Sequence, residues 1–304
     1  MISCENMLMD SAFIKKCDES YDKRLVDVAE KILNMSGFGG EPVKAVLLAG
    51  PSCSGKTTTA KKFTEVFGAA GRKAYIISID DFFLDRDILL ARSTDGTIDF
   101  DSPETINSDD LEKCVSKIFE TTSSPVSIPV FDFISGTRVG ETTIYPDPDE
   151  VSLYIFEGIQ AFYPKVSKIF KDYSVASVFT NVFGSLEDGG MTFSGNTVRF
   201  FRRLVRDFRK RGADPEYTYR IWQGVRRNEE ENIFPNAYKA DFILDSMLGY
   251  DVAVLKPFLT DYLCGRKFGV EFTQVAHKII SDIDGVRPVD FGLVSDSSLF
   301  REFI

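Results

Sequence analysis

Ala49-Gly50-Pro51-Ser52-Cys53-Ser54-Gly55-Lys56-Thr57-Thr58 is preceded by the apolar run Val43-Lys44-Ala45-Val46-Leu47-Leu48 and followed by Ala60-Lys61-Lys62-Phe63-Thr64-Glu65-Val66-Phe67. The central stretch fits G-x-x-x-x-G-K-[ST], the run before it reads as a buried parallel strand, and apolar residues at 60, 63, 66 and 67 have helical spacing. Strand, glycine-rich loop and helix in that order make a cradle: glycines let successive backbone N–H groups turn inward, and the helix start adds its dipole. Gly50, Ser52, Ser54, Gly55, Lys56, Thr57 and Thr58 are the residues expected to hold a nucleotide, with Lys56 on the β and γ phosphates and the Thr57 hydroxyl on Mg²⁺. Cys53 reads as a small filler, since nothing near it in sequence would activate a thiol.

The rest of the composition narrows the class. The chain has 304 residues, 43% of them hydrophobic, enough for one large core or two modest ones. A net charge of −10 and a pI near 4.8 argue against broad nucleic-acid or anionic-membrane binding, which demand a positive field. Cysteines 4, 17, 53, 114 and 264 are scattered and odd in number, so neither a disulfide framework nor a zinc site is indicated, and a reducing cytoplasm is expected. No signal peptide and no membrane-spanning run is read. The single histidine, His277, lies late in a helical-looking segment, so any base chemistry falls to carboxylates.

Outward from the loop, residues 21–36 put Leu25, Val28, Ala29, Ile32 and Leu33 on one helical stripe ended by Gly37-Phe38-Gly39-Gly40. Lys73 to Ile79 reads as a second buried strand that delivers Asp80-Asp81, and Val151 to Phe156 as a third that delivers Glu157-Gly158. Carboxylates at the C-terminal ends of parallel strands are placed where such sheets collect ligands, and an acidic residue there can hold a Mg²⁺ water shell. A helix is expected near 108–120, and residues 126–133 and 137–145 suggest a hairpin arm broken by Pro129. Residues 174–179 and 240–246 supply further strands, and 184–195 reads as a polar loop. Residues 198–212 form the most basic stretch, with Arg199, Arg202/Arg203, Arg206 and Lys210 on one helical face and Phe201, Leu204, Val205 and Phe208 opposite. Beside a bound triphosphate this reads as a movable arginine lid. A second helix is expected to end at Pro235, and residues 250–304 read as one or two covering helices with a polar, uninformative end.

Four stretches together resemble the uridine kinase and phosphoribulokinase family of P-loop kinases: Gly50 to Thr58, Ser78-Ile79-Asp80-Asp81-Phe82-Phe83, Phe156-Glu157-Gly158-Ile159, and Arg202 to Asp207 with Arg211-Gly212. Phe100-Asp101-Ser102-Pro103 and Ile128 to Phe133 match the uridine kinase pattern as well, so the resemblance covers about residues 43–246 in order. It implies Asp80 as the base that receives the proton of the attacking hydroxyl, Asp101 as partner of a ribose diol, and Glu157 beside Thr57 at the metal. Arg203, Arg206 and Arg211 become the phosphate clamp, Lys56 and Arg206 act on the transferred group, and Phe131 faces the substrate. Phe131, Gly136 and Ala213 stand where pyrimidine-specific members carry Tyr, His and Arg, and Trp222 to Asn236 is similar to a bacterial side branch of nucleoside kinases.

The fold expected is α/β: a three-layer P-loop NTPase with a mainly parallel sheet, a helical arginine lid and a small β-hairpin arm. Residues 1–41 are an N-terminal helical extension, 42–248 the core with the lid at about 196–236, and 249–304 a C-terminal helical extension packed on it. The expected activity is ATP- and Mg²⁺-dependent phosphorylation of a nucleoside 5′-hydroxyl in the cytoplasm, with a small molecule as partner, no nucleic acid, no membrane, and a homo-oligomer left open. The alternatives are a kinase of another hydroxylated metabolite, such as a sugar phosphate or pantothenate-like acid, for which Arg226 and Arg227 leave room, and a non-kinase NTP-binding regulator.

Overall fold

The computed structural model describes residues 1–4, 9–93, 98, 102–120, 125–146 and 152–304. Its strands are β1 (Ile2–Ser3), β2 (Ala45–Ala49), β3 (Ala74–Ser78), β4 (Val126–Asp132), β5 (Thr137–Ile144), β6 (Leu153–Glu157), β7 (Val175–Asn181), β8 (Ser185–Asp188), β9 (Met191–Ser194) and β10 (Phe242–Asp245). Its helices are α1 (Ser11–Leu33), α2 (Lys56–Ala69), α3 (Arg86–Arg92), α4 (Ser108–Phe119), α5 (Pro164–Ser167), α6 (Gly195–Arg211), α7 (Pro215–Asn228), α8 (Phe234–Ala237), α9 (Asp251–Leu263) and α10 (Val270–Ile283).

Five parallel strands in the order β10-β7-β2-β6-β3 form the central sheet. Along β2 the side chains alternate between two apolar layers: Val46 and Leu48 pack with α1, α2, α6 and α9, while Ala45, Leu47 and Ala49 pack with α4, the β4–β5 arm and α5. Helices on both faces explain why the strand reads as an unbroken apolar run. Because all five strands are parallel, the segments leaving β2, β3 and β6 emerge on one edge. The register pairs Glu157 with both Leu48 and Ser78, so the loop from Gly50 and the turn carrying Asp80 each start within two residues of that row.

Most local expectations match, and the exceptions have identifiable causes. The N-terminal helix begins at Ser11, ten residues before the stripe read from sequence, because Asp10 caps it through Phe13 N–H at 2.9 Å and Ile14 and Tyr21 extend its buried face. β3 is an edge strand rather than a buried one, pairing with β6 and exposing Ile76. Residues 184–195 are not a loop: β8 and β9 pair antiparallel about Gly189-Gly190, both at positive φ, and β1 adds to β8 in parallel. Helix α7 stops at Asn228, a π turn spans Glu229–Ile233, and Pro235 lies in the first turn of α8, where its missing N–H is tolerated. The polar C-terminal end hides an apolar plug, with Leu299, Phe300 and Phe303 buried beneath the glycine-rich loop.

Candidate active site

The loop after β2 is shaped by close contacts. A Cβ on Gly50 would come 2.2 Å from the Thr180 carbonyl, so only glycine fits, and Cys53 (φ 57) and Gly55 (φ 86) both adopt the left-handed conformation. Cys53 is thus more than a filler, since its backbone bends the cradle. Gly55 caps α2 with no side-chain acceptor, which leaves first-turn donors of α2 to other groups. One is already answered by an anion: Glu302 Oε2 accepts from Thr58 N at 3.1 Å and Thr58 Oγ1 at 3.0 Å. A carboxylate on that N–H is the kind of anionic partner that a helix N-terminus favours. Lys56 Nζ donates to Pro51 O at 3.1 Å, and Thr57 is exposed at the rim.

A cavity of about 710 Å³ opens over this loop, lined by Ser52, Lys56, Thr57, Asp80, Glu157, Arg203, Arg206 and Arg211 among others. Asp80 sits in the turn Ile79–Phe82 after β3, and its Oδ1 accepts from Gln160 Nε2 at 2.9 Å. Burial raises the proton affinity of this carboxyl, opposed by Gln160, Lys56 and Arg211. Asp81 turns elsewhere and accepts from Phe131 N–H at 3.2 Å, tying the turn to the β4–β5 arm. Glu157 is buried with Ser78 Oγ at 3.4 Å, and burial pushes its carboxyl up to about 7, with Asp80 and Glu302 adding to the rise and Lys56 opposing it.

The basic helix divides its arginines differently from the single face read in sequence. Arg199 and Arg202 are fully buried: Arg199 is forked onto Glu229 at 2.6 and 2.8 Å, and Arg202 onto Asp251 at 2.7 Å through both Nε and Nη2. Both also hold the loop, donating to Ser52 O (3.0 Å) and Cys53 O (3.3 Å). A movement of α6 away from the core would have to break these pairs, so this helix is anchored where a movable element was expected. Arg203, Arg206, Lys210 and Arg211 reach the cavity. One buried carboxylate, Asp207, gathers three of them, meeting Arg203 at 3.2 Å, Arg206 at 2.9 Å and Arg211 at 3.4 Å, and Arg203 also donates to Ser52 Oγ at 2.8 Å.

The outer wall is aromatic. Phe83 and Phe133 line the cavity, whereas Phe131, expected at the substrate, is buried behind them with ring centroids 5.6 and 5.1 Å away. Its strand alternation points it into the core, and the arm presents Phe133 and Ile134 instead. Asp101 lies outside the described residues. Arg226 is engaged by Glu229 and by Glu230 (3.0 Å), Arg227 is exposed, and neither lines the cavity. Gln160, Asp207 and Glu302 were not picked out from sequence: Gln160 follows the Phe156-Glu157-Gly158 signature by two residues and Asp207 lies inside the arginine stretch, but Glu302 carries no local signal at all.

A sequence profile described as the Phosphoribulokinase / Uridine kinase family matches residues 45–253. A uridine kinase of Saccharomyces cerevisiae is 30% identical over 217 residues, which are 68% of this chain and 38% of the yeast protein, so the match spans less than half of that relative. A uridine kinase of Borrelia hermsii is 30% identical over 181 residues, 57% of this chain and 72% of that protein. Among solved structures, that of a possible uridine kinase from Bacillus stearothermophilus aligns with a TM-score of 0.47 at 18% identity, covering 73% of this chain and 98% of the other.

Proposed function

Since the chain belongs to the Phosphoribulokinase / Uridine kinase family, we propose that it is an ATP-dependent kinase that phosphorylates the ribose 5′-hydroxyl of a nucleoside. The observation that carries this is the meeting of Asp80 and Lys56 in one cavity with Arg203, Arg206 and Arg211, although they come from three separate segments. Phosphoryl transfer asks mainly for positioning and charge stabilisation, with one carboxylate at the acceptor.

In this reading the loop N–H groups and Lys56 hold the phosphates, and Thr57 with Glu157 would hold Mg²⁺. When bound, Mg-ATP supplies an electrophilic γ-phosphorus, with ADP as the leaving group. Asp80 accepts the proton of the acceptor hydroxyl as its oxygen bonds to that phosphorus and the bridging P–O bond breaks. Arg206 and Arg211 stabilise charge on the transferred group, pre-aimed by Asp207. The buried Glu157 carboxyl, with its pKa raised to about 7, suits a group that gives up a proton when a cation arrives.

The aromatic wall of Phe83 and Phe133 favours an acceptor with a flat ring that can pack against it, such as the base of a nucleoside. Arg226 and Arg227, the cations that left room for a sugar phosphate in the sequence, do not line the cavity. A cytoplasmic location, drawn from the scattered cysteines, belongs to the same proposal. Purified protein with Mg-ATP and a panel of nucleosides, sugars and sugar phosphates tests it: transfer to a nucleoside is expected. Transfer to a sugar phosphate alone would move the assignment to that class, and ATP binding without transfer to any hydroxyl would leave a regulator.

A further inference from the structure

One polar side chain in the cavity has no part in the reaction as set out above. Gln160 lies in the turn Ile159–Phe162 after β6, is 1% exposed, and is flanked by Ala161 and Phe162, both buried in the apolar layer. A methionine would fill nearly the same volume there. Glutamine brings a cost, because its Oε1 is buried with no hydrogen-bond partner among the described residues, packed over Gly158 so tightly that a Cβ there would lie 2.6 Å from it. Leaving such an oxygen unpaired costs about 1–3 kcal/mol. In return the amide makes one described bond, Nε2 to Asp80 Oδ1 at 2.9 Å. The orientation follows from chemistry, since an ionised carboxylate only accepts and the flipped amide would set oxygen against oxygen.

We propose that Gln160 is a positioning residue for phosphoryl transfer: by occupying Oδ1 it fixes the plane of the Asp80 carboxylate and leaves Oδ2 as the oxygen that takes the acceptor proton. The proposal rests on the reading of Asp80 as the base. A carboxylate turns in a broad, two-fold torsional well, so without a tether its two oxygens interchange and the proton acceptor is not held in place. The bond also joins the turn after β3 to the turn after β6, which sets Asp80 relative to the row of strand ends that carries Glu157. Asp81 is fastened separately, to Phe131, and cannot substitute as the tether.

Gln160→Met and Gln160→Glu in the full-length chain test this, using an acceptor that the wild type phosphorylates. Turnover, both KM values, affinity for a non-hydrolysable ATP analogue and the thermal midpoint are measured together. Gln160→Met is expected to lower kcat by roughly 10- to 100-fold, within what a 1 Å misplacement costs, with KM and analogue affinity changed less than about threefold. Its thermal midpoint stays level or rises, because the unpaired oxygen is gone. Gln160→Glu sets a second carboxylate against Asp80 and loses more. A Gln160→Met variant with wild-type kcat overturns the proposal, as does a loss of kcat that runs parallel with lost thermal stability and analogue affinity, which would mark a structural role. A wild type that transfers phosphate to no hydroxyl acceptor overturns the function itself and this inference with it, a result distinct from an active wild type with an equally active variant.

Discussion

Replacing Arg202 with methionine removes the group that joins α6 to the C-terminal region and to the glycine-rich loop. Its guanidinium forks onto Asp251 at 2.7 Å twice, donates to Ser246 O at 2.8 Å and to Cys53 O at 3.3 Å, and lies 4.6 Å from the Phe303 ring centroid. Both charged side chains are 0% exposed. Arg202→Met leaves the Asp251 carboxylate with the Leu248 N–H, 2.9 Å away, as its remaining described partner. Breaking a buried pair from one side costs about 3–5 kcal/mol, against a total stability of about 5–15 kcal/mol. Removing both charges, in Arg202→Met with Asp251→Leu, should recover most of the loss, because no unpaired charge is left in the interior. Burial already raises the Asp251 carboxyl pKa, and Arg202 is the strongest influence holding it down. Without Arg202 the folded-state pKa climbs further, so the stability linked to the protonated form is present in acid and lost as pH rises. The deficit of the single variant is therefore smaller near pH 4 to 5 than near pH 8. Urea unfolding followed by circular dichroism at several pH values measures all three chains. A single-variant loss under about 1 kcal/mol, or a double variant no more stable than the single, would refute the view that this pair fastens the helix.

Asp80→Asn should lower turnover by about 10²- to 10⁴-fold, the contribution of a general base, with ATP-analogue affinity by calorimetry almost unchanged; full turnover would take the base role from Asp80. Glu157, whose carboxyl is raised from 4.5 to about 7, gives the ligand-free protein stability that is whole below pH 4.5 and lost as pH climbs to about 7. The change is on the order of 3 kcal/mol, and Glu157→Gln should flatten the stability profile across that window; a wild-type profile already flat there would contradict the buried carboxyl. Glu302→Gln weakens the acceptor now resting on Thr58 N–H and Oγ1, so nucleotide should bind tighter by roughly five- to tenfold, the worth of about one hydrogen bond. Weaker binding would mean that this carboxylate supports the site instead of competing for it.

The residues between Val43 and Phe67 were enough to indicate the class of fold, because a strand, a glycine turn and a helix start are local structures whose backbone demands are written in adjacent residues. Asp80 and Glu157 were legible for the same reason, as carboxylates at the ends of apolar runs in a sheet whose strands all point one way. The arginines show where this reasoning stops. Helical spacing placed Arg199, Arg202 and Arg206 near one another, yet it carried nothing about what that surface would meet. Whether an arginine is buried depends on a carboxylate supplied from elsewhere, here Glu229 for Arg199 and Asp251 for Arg202. The same holds for Phe131, whose strand orientation hid it behind Phe133, and for Glu302, which reaches Thr58 across 244 residues of sequence. Periodicity fixes faces and strand ends; the partners of a charged side chain come from chain segments far apart, and only the closed tertiary packing brings them within hydrogen-bond distance.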